Sequence, residues 1–237
     1  MTELILALDV ADKDEALALV APLRGHLRWV KLGLQLFTRH GPQIVECFAG
    51  QGFSVFLDLK LHDIPNTVAS AIKSLRGRPC SLLTVHTLGG PEMLCFAVES
   101  AREALPTTTV LGVTVLTSMD AGQLAAIGLG HAPVDAVRLL ARMGIGAGLQ
   151  GLVCSPQELP VLRAEFGSGP LWVTPGIRAA GAPADDQNRT LTPAEAAAAG
   201  ASHIVVGRPI LKAPDPVRAV LAIQAELAQA SGASFGR

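Results

Sequence analysis

Eight short apolar runs, each followed by a polar segment with helix-forming character, limit what this chain can fold into. The runs fall at residues 4–10, 29–33, 54–61, 82–87, 108–116, 151–154, 171–174 and 203–206. Short, β-branched and bounded by turn residues, they read as buried strands. Between them, helix starts are written in capping residues. Asp12 precedes Glu15, Ser155-Pro156-Gln157-Glu158 carries an N-cap with Pro and Glu behind it, and Thr192-Pro193-Ala194-Glu195 repeats the pattern. Helices are predicted over 12–23, 42–49, 65–75, 123–127, 133–143 and 215–228, with a further start at 89–92. Strand–helix alternation carried through eight units predicts an α/β fold, a (β/α)8 TIM barrel in a single domain spanning residues 1–230. A doubly wound open sheet is the alternative, and no G-x-G-x-x-G follows the first strand to favour it. Residues 231–237 are small and polar and are expected to fray as a flexible tail.

The composition fits a large core. Of 237 residues, 49% are hydrophobic and 16% charged, which excludes a disordered chain. A net charge of −1 leaves no electrostatic footprint for nucleic acid or an anionic membrane, so an anionic ligand must be held by local charges. The opening MTELILALDV has no basic leader and is not expected to be a signal peptide, and no uncharged apolar stretch is long enough to span a bilayer. Cys47, Cys80, Cys95 and Cys154 stand singly in apolar segments without C-x-x-C spacing. They read as reduced core thiols of a cytoplasmic protein, not as a zinc site.

The third run, SVFLDLKL from Ser54, carries the chemistry. Alternation puts Val55, Leu57, Leu59 and Leu61 on one face and Ser54, Phe56, Asp58 and Lys60 on the other. A carboxylate and an ammonium therefore share one face of a strand that is otherwise core. Burying charge is costly unless it is paired and hydrogen-bonded. An isolated D-x-K also describes a structural ion pair. Asp9 and Lys31, however, sit near the same ends of strands one and two, and active sites of such barrels lie at those ends. Two carboxylates and two ammonium groups balance to zero, so the cluster can be buried as alternating pairs.

A second group of residues lies in the loops after strands seven and eight, where barrels often bind phosphate. They supply Gly176-Ile177-Arg178 and Gly207-Arg208. Glycine admits backbone N–H groups close to an anion, and Arg offers a bidentate fork, although a strand-ending G-R also makes a simple turn. The connection 175–191 is long for a compact barrel and reads either as a lid or as a tolerated surface loop. Strand five ends in L-T-S, where Thr117 and Ser118 are either ligand-facing or ordinary capping hydroxyls. His62 and His86 flank the site as structural hydrogen-bond partners.

The string D-L-K-x-H-D-I-P-N-T-V, with T-P-G-I-R, D-Q-x-R and G-R-P-I in the later loops, resembles the orotidine 5′-phosphate decarboxylase family over essentially the whole chain. That resemblance implies decarboxylation of orotidine 5′-monophosphate to uridine 5′-monophosphate, the last step of de novo pyrimidine nucleotide biosynthesis, with no metal or organic cofactor. The family's D-x-K-x-x-D falls on Asp58, Lys60 and Asp63. Lys60 is implied as the proton donor within an Asp58, Lys60, Asp63 and Lys31 network. Asp9 and Lys31 are implied to contact the ribose hydroxyls, and Thr117 or Ser118 the pyrimidine edge. Arg178, Gln187, Gly207 and Arg208 are implied at the phosphate, with Gln187 bridging phosphate and pyrimidine from the lid. The family also implies a homodimer in which Asp63 and Thr67 reach into the neighbouring subunit's site.

Two other functions fit parts of this pattern. A magnesium-dependent sugar-phosphate decarboxylase or aldolase on a related barrel shares D-x-K-x-x-D, but H-D-I-P-N-T, L-T-S and D-Q argue against it. A catalytically silent phosphate-binding barrel acting as a sensor or scaffold would not need Lys60 and both aspartates intact.

Overall fold

The computed structural model describes residues 1–130, 132–178 and 190–233. Eight strands form one closed barrel: β1 (Glu3–Leu8), β2 (Trp29–Gly33), β3 (Ser54–Leu61), β4 (Cys80–His86), β5 (Thr109–Val113), β6 (Gly151–Val153), β7 (Leu171–Thr174) and β8 (His203–Val206). Every neighbour pair is parallel and sequential, and β8 closes on β1 through Glu3–His203 to Leu6–Val206. The barrel reading of the sequence therefore holds, and the open sheet is excluded.

The strands are wrapped by α1 (Lys13–Val20), α2 (Leu34–His40), α3 (Ile44–Ala49), α4 (Pro65–Lys73), α5 (Gly90–Ala104), α6 (Ala121–Ala126), α7 (Pro133–Gly146), α8 (Leu159–Phe166), α9 (Pro193–Ala198), α10 (Arg208–Leu211) and α11 (Pro216–Ala233). Asp12 caps α1 by accepting from the N–H groups of Asp14 and Glu15, and Thr192 closes a capping box with Glu195 on α9. The expected capped start at Ser155 is also present, as a short 3-10 turn over Pro156–Glu158 that leads into α8.

The helices after β2 and at the C-terminal end differ from the sequence reading. The segment after β2 holds two helices, broken at Gly41, whose φ of 68° is a conformation that favours glycine. The first of them, α2, has no side-chain cap to announce it. The last helix continues past residue 228 to Ala233.

Alternation along the strands builds two layers. Ile5, Ala7, Trp29, Phe56, Leu82, Leu111, Val173 and Val205 fill the barrel interior. Leu4, Leu6, Val30, Leu32, Val55 and Leu57 face outward and pack under the helices. A fully buried side chain of this kind contributes about 1.5–3 kcal/mol, so these layers hold the strands in register. Continuing the inward rows by two residues leads from Ala7 to Asp9, from Trp29 to Lys31 and from Phe56 to Asp58. The charged residues thus stand on an apolar floor at the C-terminal mouth.

Candidate active site

Asp58 is the centre of the charged group at the mouth. Its side chain is 11% exposed. Lys60 Nζ lies 2.9 Å from both carboxylate oxygens, and Lys31 Nζ lies 3.4 Å from Oδ2. Thr84 Oγ1, on β4, donates to Asp58 Oδ1 at 3.0 Å. Lys31 also donates to Asp9 Oδ1 at 3.2 Å, so charge alternates Asp9, Lys31, Asp58, Lys60 along the cluster. Burial opposes ionisation of Asp58, but Lys31 and Lys60 beside it, with hydrogen bonds from Lys60 and Thr84, hold its carboxyl below the usual range. Burial likewise pulls Lys31 down, and Asp58 and Asp9 outweigh it, so its ammonium is held above the ordinary lysine value. Each of these two residues therefore favours the charged form of the other.

Lys60 reaches Asp58 through an irregular backbone. On β3, Leu57 pairs with Leu83 and Leu61 with Val85, so Asp58, Leu59 and Lys60 together oppose the single residue Thr84. Lys60 has φ of 51°, the one positive value at a non-glycine residue among the described residues. Such a conformation costs on the order of 1–3 kcal/mol and marks a functional constraint in many proteins. The bulge re-aims the side chain, a role bulges often have next to active sites.

Asp63 is not part of this cluster. Its side chain is exposed and accepts from the N–H of Ile64 at 2.7 Å, and among the described residues it forms no ion pair. Thr67 is exposed on the first turn of α4. The expected four-residue network is therefore, within one chain, Asp9, Lys31, Asp58 and Lys60, with Asp63 standing apart because the chain has already turned outward toward α4.

A cavity of about 600 Å³ opens above the cluster. Its walls include Asp9, Lys31, Asp58 and Lys60 together with Arg178, Gly207 and Arg208. Thr117 and Ser118 line it as well, in a turn beyond the end of β5 at Val113. Arg178 is almost fully buried, with Nη1 donating to the Ile177 carbonyl at 2.9 Å. Gly207 is the N-cap of α10, which carries Arg208 at its first position. Gln187 lies outside the described residues.

Two features of the site were not assigned from sequence. Lys212 lines the cavity four residues after Arg208, a spacing that puts both on one side of a helical turn. Thr84 is a hydroxyl two residues after the apolar Leu82 on the inward face of β4, next to the strand that carries Asp58. That contrast was visible in the sequence, but the register that brings the two together was not. His62 and His86 stack with ring centroids 5.5 Å apart, and His86 Nδ1 accepts from the Leu88 N–H at 3.3 Å.

Comparison with known proteins adds independent information. Residues 2–223 match the family described as Orotidine 5′-phosphate decarboxylase / HUMPS family. The orotidine 5′-phosphate decarboxylase of Opitutus terrae is 50% identical over 225 residues, covering 95% of this chain and 98% of that protein. The enzyme of the same name from Anaeromyxobacter sp. (strain K) is 54% identical over 208 residues, covering 88% of this chain and 89% of its own. Among solved structures, orotidine 5′-phosphate decarboxylase from Lactobacillus acidophilus superposes with a TM-score of 0.85 at 36% identity, covering 96% of this chain and 99% of that one.

Proposed function

This chain belongs to the orotidine 5′-phosphate decarboxylase / HUMPS family, and on that premise we propose that it is a carboxy-lyase converting orotidine 5′-monophosphate to uridine 5′-monophosphate. The observation that carries this reading is the alternation of Asp9, Lys31, Asp58 and Lys60 in the wall of one cavity that Arg178 and Arg208 also line. The family name spans two groups, and the relatives near 50% identity favour the decarboxylase of the nucleotide.

The chemistry follows from charge. The substrate carries a carboxylate on ring carbon six. When the carbon–carboxylate bond breaks, its electron pair stays on that carbon, carbon dioxide leaves, and no conventional electron sink takes the charge. Fixed positive charge in a water-poor site is what such a step needs. Lys60 stabilises the developing carbanion and transfers a proton to carbon six. Asp58 stands beside the departing carboxylate and repels it more than the neutral product. Lys31 holds Asp58, and Asp9 holds Lys31, so neither lysine has to reorganise during the reaction.

The remaining residues bind. Arg178, Gly207 and Arg208, with Gln187, take the phosphate, and Asp9 and Lys31 meet the ribose hydroxyls. Thr117 and Ser118 read the pyrimidine edge. Binding energy at the remote phosphate is then used at the reacting carbon. Asp63 and Thr67 complete the site of a second subunit in a homodimer. The setting is the cytoplasm. No helix among the described residues is long and apolar enough to cross a membrane.

The reading includes a cofactor-free reaction. Asp58 Oδ1 accepts from Lys60 and Thr84, and Oδ2 accepts from Lys60 and pairs with the Lys31 ammonium at 3.4 Å, so donors already occupy the oxygens a divalent cation would require. The test is formation of uridine 5′-monophosphate after exhaustive chelation. Full activity is expected. Formation of uridine 5′-monophosphate that disappears in chelator and returns with magnesium would overturn the cofactor-free reading.

A further inference from the structure

Thr84 occupies a position in the site that neither charge nor cavity lining describes. It is fully buried on β4, one side chain opposite the three bulged residues of β3. A threonine hydroxyl has one proton to give and lone pairs to accept with. Here both capacities are used on β3. Thr84 Oγ1 accepts from the backbone N–H of Lys60 at 2.8 Å and donates to Asp58 Oδ1 at 3.0 Å. The Lys60 ammonium in turn donates to both Asp58 oxygens at 2.9 Å. The three residues therefore close a ring: Lys60 backbone to Thr84 hydroxyl, Thr84 hydroxyl to Asp58 carboxylate, Asp58 carboxylate to Lys60 ammonium.

We infer that Thr84 is a positioning residue for the decarboxylation, clamping the bulge so that the Lys60 ammonium and the Asp58 carboxylate are held in reacting register. The inference rests on the function proposed above. Its physical content is simple. A bulge takes the Lys60 N–H away from the regular ladder, and the positive φ at Lys60 is unfavourable without a partner that rewards it. Thr84 supplies that partner and ties it to the orientation of Asp58. The hydroxyl also fixes which oxygen of Asp58 is engaged by β4 and leaves Oδ2 to Lys31.

Thr84→Val keeps the shape and β-branching but removes the hydroxyl, while Thr84→Ser keeps the hydroxyl. Loss of one supporting hydrogen bond of this kind is expected to lower kcat roughly 10- to 100-fold. Affinity for uridine 5′-monophosphate should stay within about threefold, because the phosphate contacts are untouched, and Thr84→Ser should recover most of kcat. Hydrogen exchange at the Lys60 amide should be faster in Thr84→Val than in the wild type and protected again in Thr84→Ser. Turnover of Thr84→Val within threefold of wild type overturns the inference. So does a loss that merely follows the folded fraction, or one that Thr84→Ser fails to restore. If wild-type protein does not decarboxylate the nucleotide, the functional reading fails. The Lys60 amide then still decides the clamp by itself: unchanged exchange in Thr84→Val removes it.

Discussion

The ammonium of Lys60 stands 2.9 Å from both carboxylate oxygens of Asp58, although the two residues belong to one strand and are separated by Leu59 alone. Neighbours of this kind on a regular strand point the same way without gripping each other. The bulge and the positive φ of Lys60 turn that parallel arrangement into a two-point contact. The strand gives up local stability at the residue proposed above as the proton donor.

A pair of substitutions separates those two effects. Lys60→Ala removes the ammonium and keeps a side chain in the unfavourable conformation, whereas Lys60→Gly removes both the ammonium and the penalty. Both variants are expected to lose about 10²–10⁴-fold or more in turnover, the range for a missing proton donor. Lys60→Gly should nevertheless be more stable than Lys60→Ala, by about 1 kcal/mol, since glycine adopts positive φ without a steric cost. Urea unfolding of the two variants measures the difference. Equal midpoints would mean that the bulge is not strained.

Arg208→Ala removes a cation from the cavity wall outside the Asp9, Lys31, Asp58 and Lys60 cluster. If Arg208 meets the phosphate, affinity for uridine 5′-monophosphate should fall by about 1.5–3 kcal/mol, the range for a charge-assisted hydrogen bond. Affinity for uridine, which has no phosphate, should be unchanged. Calorimetric titration of both ligands gives the comparison. A parallel loss for both would place the phosphate elsewhere.

His86 makes stability depend on pH. Burial, the neighbouring His62 and the Lys60 charge lower its pKa from 6.5 to about 4. The folded protein therefore keeps His86 neutral where the unfolded chain takes up a proton. Stability should be full above about pH 6.5, fall as pH drops toward 4, and level off below. Asp58, held low by its two lysines, adds a separate loss only as pH falls below the unfolded carboxylate value of 3.8. His203, lowered chiefly by burial, contributes in the same direction as pH falls below 6.5. Replacing His86 with Gln should therefore reduce, without abolishing, the drop in urea midpoint between pH 7 and pH 5. An unchanged drop would show that His86 titrates normally in the folded state.

The barrel was legible because its two layers are written as alternation. Leu57 and Phe56 point to opposite layers in the sequence pattern and in the fold alike. Strand ends near the site were less legible. β5 stops at Val113, short of the apolar run, because that run continues as the wall of the cavity through Val115 and Leu116. The Asp58–Lys60 pairing followed from alternation, but the bulge beneath it did not, since no residue type announces a lysine at positive φ. Thr84 remained an ordinary strand threonine until the register between β3 and β4 was known. Helix α2 was missed because Gly33, which precedes it, offers no side-chain cap.

Asp63 bears on how many chains make one site. Its carboxylate accepts from its own neighbour, Ile64, and lies exposed beside Ile64, which is 67% exposed. An exposed carboxylate and an exposed large apolar side chain at the rim suit contact with a second copy. A two-fold axis would make that contact reciprocal. Lys60→Ala and Asp63→Ala variants, each nearly inactive, should then rescue one another when unfolded together and refolded. In a mixed dimer one site inherits both lesions, and the other receives an intact Lys60 and an intact Asp63. Random pairing makes half the dimers mixed, so roughly a quarter of all sites should regain activity. Size-exclusion chromatography with light scattering confirms the dimer in the same samples. If Asp63 serves its own barrel, no site regains both residues and the mixture stays inactive, even when every molecule is dimeric.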